Sequence, residues 1–248
     1  MKKIIEFRQV GYSYHTKTGE TAALTEFNLE IFQGEFLAVV GPSGCGKSTL
    51  LSLLAGLMEP EKGHIFYGEN KYNFGYMLQK DQLLEWRTIE KNILLGLQIQ
   101  KKQTDEHKKK IKDKAKEYGL EHFLMMHPSQ LSGGMRQRAA LLRTLAVDPE
   151  ILLLDEPFSA LDYQTRLNVS DDIGRLIKRE GKTAILVTHD LSEAISLADR
   201  IVVLSRRPGT KRCELCIQFP KELTPLMRRN QVEFKDYFNR LWEEINNE

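Results

Sequence analysis

Phe36-Leu37-Ala38-Val39-Val40 runs straight into Gly41-Pro42-Ser43-Gly44-Cys45-Gly46-Lys47-Ser48-Thr49, and this junction decides the fold. Five consecutive apolar residues read as a strand buried on both faces of a parallel sheet. The nine that follow fit the pattern G-x4-G-K-[ST], in which glycines let the backbone curl so that successive N–H groups face phosphates. Lys47 is expected to reach the β- and γ-phosphates, and the Ser48 hydroxyl to ligate Mg²⁺. Lys47 to Leu57 reads as an apolar helix ended by Glu59-Pro60, and its positive end adds to the field that attracts an anion. The loop is therefore expected to take Mg-ATP, with ATP and Mg²⁺ as the cofactors.

Working outward, Ile151-Leu152-Leu153-Leu154 is a second buried strand, and Asp155-Glu156 follows it. An apolar strand ending in Asp puts a carboxylate at the sheet edge, where Asp155 would hold Mg²⁺ directly or through water. Glu156 is then placed to polarise an attacking water as general base. Thr183 to Val187 and Ile201 to Leu204 are two further buried strands, with a helix from about Leu191 to Ala198 between them. This alternation argues for a mostly parallel, wound sheet. At the start of the chain, Ile4 to Val10 and Leu24 to Ile31 read as strands joined across a loop near Thr16 to Glu20.

Leu83 to Val147 has a different character, with helical periodicity and few strand-like runs, and reads as an inserted helical lobe. One domain is expected: a core of about 1–82 and 148–220, a helical subdomain of about 83–147, and a C-terminal amphipathic helix of about 222–247. In that last segment Phe234, Tyr237, Phe238, Leu241, Trp242 and Ile245 form one apolar stripe, expected to pack on the chain's own sheet domain.

Composition narrows the partners. The 248 residues carry 36 basic and 34 acidic side chains, a net charge of +2, so charge argues for neither nucleic acid nor acidic substrates. No apolar run approaches the roughly 18 residues of a membrane span, and the start of the chain meets an acid too early for a secretory signal. Three cysteines suit a reducing compartment without a disulfide framework. The expectation is a cytoplasmic protein that needs a separate partner if it works at a membrane.

Leu131-Ser132-Gly133-Gly134-Met135-Arg136-Gln137-Arg138 opens a second helix with a capping serine and flexible residues. It is either a second anion-binding helix start or an ordinary Ser-capped helix. Together with the phosphate loop and Asp155-Glu156, this run resembles the signature of ATP-binding-cassette (ABC) ATPases, and the resemblance covers nearly the whole chain in order. It implies an α/β, P-loop NTPase (RecA-like) core with an N-terminal antiparallel β subdomain and an inserted α-helical subdomain.

The resemblance also implies residue roles. Tyr14 matches the aromatic stacked on adenine, with Tyr12 as its rival. Gln79 matches the glutamine that contacts Mg²⁺ and couples to a membrane partner. Ser159-Ala160-Leu161-Asp162 matches the loop across a dimer interface, and His189 the γ-phosphate switch. Two copies would pair head to tail, each ATP lying between one phosphate loop and the other copy's Leu131 to Met135.

Leu83-Leu84-Glu85-Trp86-Arg87-Thr88, Met135-Arg136-Gln137-Arg138, Asp155-Glu156-Pro157-Phe158-Ser159 and Ala198-Asp199-Arg200 through Arg207-Pro208-Gly209 resemble importer ATPases of the nitrate, sulfonate, taurine and pyrimidine-precursor group. Glu85 departs from that group, which usually has proline. The implied protein is a peripheral homodimer at the cytoplasmic face of the cell membrane, driving separate integral permease subunits and, through them, a solute-binding protein. An exporter ATPase or a soluble cassette ATPase is the alternative. Trp86 is either a docking residue for the permease or core of the lobe. The lysine-rich stretch Lys101 to Glu117 reads as a solvated helix face. Cys213 and Cys216 are a lone C-x-x-C with no second pair. Cys45, inside the loop, is expected to make ATP binding sensitive to thiol alkylation.

Overall fold

Residues 2–17, 19–68 and 72–246 are described in the computed structural model. Met1, Thr18, Glu69, Asn70, Lys71 and Asn247, which fall within stretches read above, lie outside them. The short apolar runs form one six-stranded sheet in the order β5-β6-β7-β3-β8-β9. Its members are β3 (Phe36–Val40), β5 (Phe74–Met77), β6 (Ile151–Asp155), β7 (Thr183–Val187), β8 (Arg200–Leu204) and β9 (Lys211–Cys216). The first five strands in that order pair in parallel, and β9 joins β8 antiparallel. A second sheet, β2-β1-β4, is antiparallel and built from β1 (Lys3–Thr16), β2 (Gly19–Phe32) and β4 (Lys62–Tyr67).

The central strands show why they are apolar throughout. Ala38, Leu152, Leu154, Ala184, Leu186, Ile201 and Val203 face one core, while Leu37, Val39, Ile151, Leu153, Ile185, Val187 and Val202 face another. Successive side chains in a strand point to opposite faces, so a strand covered on both sides has no polar position to spare. The second core is closed by the antiparallel sheet and α1 (Lys47–Leu54). The first is closed by the helical lobe and by α6 (Tyr163–Arg179) and α7 (Leu191–Leu197).

Between β5 and β6 run α2 (Ile89–Ile93), α3 (Leu95–Ile99), α4 (Asp105–Glu117) and α5 (Gly133–Leu145). After β9 come α8 (Pro225–Arg228) and α9 (Val232–Asn246). Among the described residues no helix is long and apolar enough to cross a membrane.

Several boundaries differ from the sequence reading. α1 stops at Leu54, not Leu57, because Gly56 takes a left-handed conformation (φ 68°) that ends the turn. β1 and β2 extend to Thr16 and back to Gly19, since antiparallel pairing carries polar residues along at the hairpin end. β5 was not read as a strand: it is four residues long and contains Gly75, where a Cβ would lie 2.7 Å from Thr144 Cγ2 and 2.8 Å from Pro149 Cγ. In α9, Leu241 is buried and Phe234, Tyr237, Phe238 and Ile245 pack on the core, but Trp242 is exposed at the edge of the stripe. The helix rests against α7 and β8.

Candidate nucleotide site

Parallel strands deliver their following loops to one edge of the sheet. In the order β5-β6-β7-β3, that edge places Gln79, Asp155-Glu156, His189 and the phosphate loop side by side.

The phosphate loop closes onto α1 at Gly46, which has φ 102° and provides no side-chain cap for the helix. The first N–H groups of α1 are thus left for another acceptor, the arrangement that suits an anion. A Cβ at Gly46 would lie 2.8 Å from Ala23 O and 2.9 Å from Leu24 Cδ2, so only glycine fits between the loop and β2. Lys47 is buried, and its Nζ donates to Gly41 O (2.8 Å) and Pro42 O (2.9 Å), folded under the loop it serves.

Ser48 Oγ donates to Asp155 Oδ1 at 3.1 Å. A hydroxyl and a carboxylate this close, next to the loop, are hard oxygen donors of the kind Mg²⁺ prefers, and the donor set fits that ion. Burial pushes the Asp155 carboxyl above its ordinary value, with Glu156 adding to the rise and the Ser48 hydrogen bond and the Lys47 charge opposing it. Tyr76, one strand away on β5, is pushed up to about 12 by burial and by Asp155. The sequence reading missed Tyr76, because the strand that carries it was not recognised.

Glu156 follows β6 with φ 44°, a left-handed conformation that costs a non-glycine residue on the order of 1–3 kcal/mol. Its backbone N–H still donates to Val187 O (2.8 Å), so the sheet holds the turn in place. There Glu156 Oε2 accepts from Gln79 Nε2 at 3.1 Å and lies 3.2 Å from His189 Nδ1. The His189 side chain is 56% exposed and therefore reachable from solvent.

Tyr14 is 42% exposed, and its hydroxyl lies 3.0 Å from Thr49 Oγ1. Tyr12 packs on the core and meets Tyr14 edge-on at 5.2 Å, which leaves Tyr14 as the ring open to a ligand. Arg207 also reaches the loop, its Nε donating to Gly44 O at 3.1 Å. Sequence reading had quoted Arg207 only as part of a family run. Cys45 is 1% exposed, and burial raises its thiol above the ordinary value.

Ser132 caps α5 and accepts from Met135 N at 3.4 Å. Gly134 is where the helix meets α6: a Cβ there would lie 2.8 Å from Thr165 Cγ2 and 3.1 Å from Val169 Cγ2. Asp162 caps α6, accepting from Thr165 N at 3.0 Å, and Ser159 Oγ donates to Glu156 O at 3.0 Å. Leu161 is buried, and Ala160 lies between it and Ser159. Among the described residues, no hydrogen bond or ion pair joins Leu131 to Met135 to the phosphate loop.

The segment after Gln79 is held from α5. Arg136 Nε donates to Asp81 Oδ2 (2.8 Å), and Arg143 donates to the carbonyls of Asp81 and Gln82. Burial raises the Asp81 carboxyl, but the Arg136 and Leu83 hydrogen bonds outweigh it and hold the group below its ordinary value. Glu85 pairs with Arg136 Nη2 at 3.1 Å. Trp86 is 76% exposed, so it is not core of the lobe. Cys213 and Cys216, three apart on β9, face opposite sides of the strand and share no site.

The family model for the ABC transporter matches residues 24–159. The chain belongs to the ABC transporter ATP-binding family. It is an ATP-hydrolysing cassette. The ABC transporter ATP-binding protein YtlC of Bacillus subtilis is 44% identical over 245 residues, covering 96% of this chain and 94% of that protein. The nitrate import ATP-binding protein NrtC of Synechococcus elongatus is 38% identical over 92% of this chain, which spans 35% of NrtC. Among solved structures, a dimeric post-hydrolysis state of the ATP-binding cassette MJ0796 bound to ADP and Pi has a TM-score of 0.75. It is 30% identical, with 88% of this chain and all of that one covered.

Proposed function

We propose that this ABC cassette is the ATPase subunit of an importer for a small solute of the nitrate, sulfonate, taurine or pyrimidine-precursor type. It would work as a homodimer on separate permease subunits at the cytoplasmic face of the membrane. The observation that carries the catalytic part is the convergence of Gln79 and His189 on one carboxylate oxygen of Glu156.

In this reading Tyr14 stacks on adenine, and the backbone of Gly41 to Thr49 cradles the phosphates. Lys47 leaves its carbonyl partners for the β- and γ-phosphates. Ser48, Asp155 and Gln79 hold Mg²⁺, which when bound offsets the charge of the phosphate oxygens. Glu156 orients and deprotonates the attacking water, and His189 contacts the γ-phosphate and keeps Glu156 in place. Ser132, Gly133 and Gly134 of a second copy close the site from the other side, with Ser159 to Asp162 along the interface. Dimeric MJ0796 structures and relatives named for nitrate import and bicarbonate transport support the dimer and the import reading.

Trp86 supports a permease. Glu85 O lies 3.2 Å from His127 Nδ1, and Ile89 N donates to Met126 O, so the Trp86 turn is tied to the segment bearing exposed Met125 and Met126. Three exposed large apolar side chains on joined segments suit a partner helix. The test is to express tagged Glu156→Gln protein in its own cells, solubilise membranes with ATP present, and identify what co-purifies. A polytopic membrane protein with an associated solute-binding protein is the expected result. Recovery from the soluble fraction alone would favour a soluble cassette ATPase.

A further inference from the structure

One side chain on α6 touches both the interface loop and the residues flanking His189. Arg166 Nη2 donates to Leu161 O at 3.0 Å, and its Nη1 donates to Asp190 Oδ2 at 3.5 Å. Asp190 caps α7, its Oδ1 accepting from Ser192 N (2.8 Å) and Glu193 N (3.2 Å). On the other side of His189, Thr188 is buried. Its Oγ1 donates to Glu193 Oε2 at 2.7 Å and accepts from Asp190 N at 3.0 Å. His189 is thus held from both neighbours by one polar network, and Arg166 connects that network to the loop Ser159 to Asp162.

The network has slack at one place. Arg166 Nε is buried without an acceptor and lies 3.9 Å from Glu193 Oε1. A movement of roughly 1 Å would bring Nε into hydrogen-bond range of Glu193. Burial of Glu193, 2% exposed, makes such a contact count for more than at the surface.

We infer that Arg166 is a positioning residue: it ties the loop Ser159 to Asp162 to the His189 segment within one chain, so that dimer closure keeps His189 in its contact with Glu156. The inference rests on the roles proposed above for those two residues. It concerns the rate of hydrolysis and not the binding of nucleotide, because among the described residues no hydrogen bond or ion pair joins Arg166 to the phosphate loop.

The experiment compares Arg166→Ala and Arg166→Lys with Glu156→Gln and His189→Ala, measuring Kd for ATP, Tm and kcat on the full chain. The expected result for Arg166→Ala is a Kd within about twofold of wild type and a kcat lowered about tenfold or more. Arg166→Lys keeps the charge without the fork and should fall between them; it also serves if the alanine variant folds poorly. In a Glu156→Gln background, Arg166→Ala should still dimerise with ATP. Wild-type kcat in both Arg166 variants, with Glu156→Gln and His189→Ala inactive, would overturn the inference and leave the catalytic reading intact. Joint loss of Tm, ATP affinity and kcat, unrescued by lysine, would assign Arg166 a structural role and overturn it too. Normal turnover in Glu156→Gln and His189→Ala would instead remove the reading beneath it.

Discussion

The two glycine-containing helix starts of this cassette are built alike and finished differently. At α1, the helix end meets Lys47, Ser48, Asp155 and, along the same sheet edge, Glu156 with its Gln79 and His189 contacts. At α5, Ser132 caps its own helix, and no hydrogen bond among the described residues links it to any of those groups. The α1 start leaves its N–H groups without a side-chain cap and has the Ser48 hydroxyl and the Asp155 and Glu156 carboxylates nearby, whereas the α5 start is capped by Ser132. In the proposed function, one half of the chemistry is assembled within the chain, and the other half would be supplied by a facing copy. The proposed head-to-tail pairing would answer both needs with one symmetric contact.

Breaking the first region should have the largest effect. Glu156→Gln removes the base and keeps the shape, so kcat should fall about 10³-fold while ATP binding persists; single-turnover assays with labelled ATP measure both. A loss of less than about tenfold would take the base role away from Glu156.

The second region can be sharpened by treating its two glycines separately. Gly134→Ala places a methyl against the β-branched Thr165 and Val169, and overpacking of that kind costs about 1–3 kcal/mol. At Gly133 the nearest atom to a new Cβ is Leu161 Cδ2 at 3.1 Å, on the interface loop. Thermal unfolding should show Gly133→Ala within about 0.5 kcal/mol of wild type, with hydrolysis reduced nevertheless. If both glycines lower Tm equally, the α5 start is a packing feature and the contrast with α1 disappears.

A smaller effect separates the regions by pH. Burial, together with the Asp190 charge, pushes Glu193 up to about 7, against the opposing Thr188 hydrogen bond and the Arg166 and Arg229 charges. A carboxyl raised on folding favours the protonated native state. Its contribution is full below about pH 4.5 and is lost as pH rises through about 7. Glu193→Gln should therefore flatten the fall in stability between about pH 4.5 and 7, by up to roughly 3 kcal/mol. Denaturant titrations at several pH values measure this, and unchanged slopes would contradict it.

How much of this was legible before the structure depended on how local each feature is. The phosphate loop and the carboxylates of Asp155 and Glu156 could be read because strand, turn and chemistry are contiguous. Gln79 and His189 came only through resemblance, since nothing in their own neighbourhoods states that β5, β6 and β7 lie side by side. Tyr76 was lost with its strand, where Gly75 replaces a side chain by the closeness of Thr144 and Pro149. The Arg207 contact with Gly44 spans 163 positions, a separation no spacing rule covers. Trp86 could be core or surface in the sequence, because an aromatic beside a short helix satisfies either pattern. Glu85, where the nitrate-type importer group usually has proline, pairs with Arg136 on α5.

The central claim is that each half-site is completed by the other copy. Analytical ultracentrifugation of Glu156→Gln protein, with and without Mg-ATP, tests it most directly. The account predicts a 28.6 kDa monomer that becomes a dimer on adding ATP, and a Ser132→Arg change that blocks the dimer while leaving ATP bound. A protein that stays monomeric with ATP bound, while its wild-type counterpart hydrolyses at full rate at the same concentration, would contradict it.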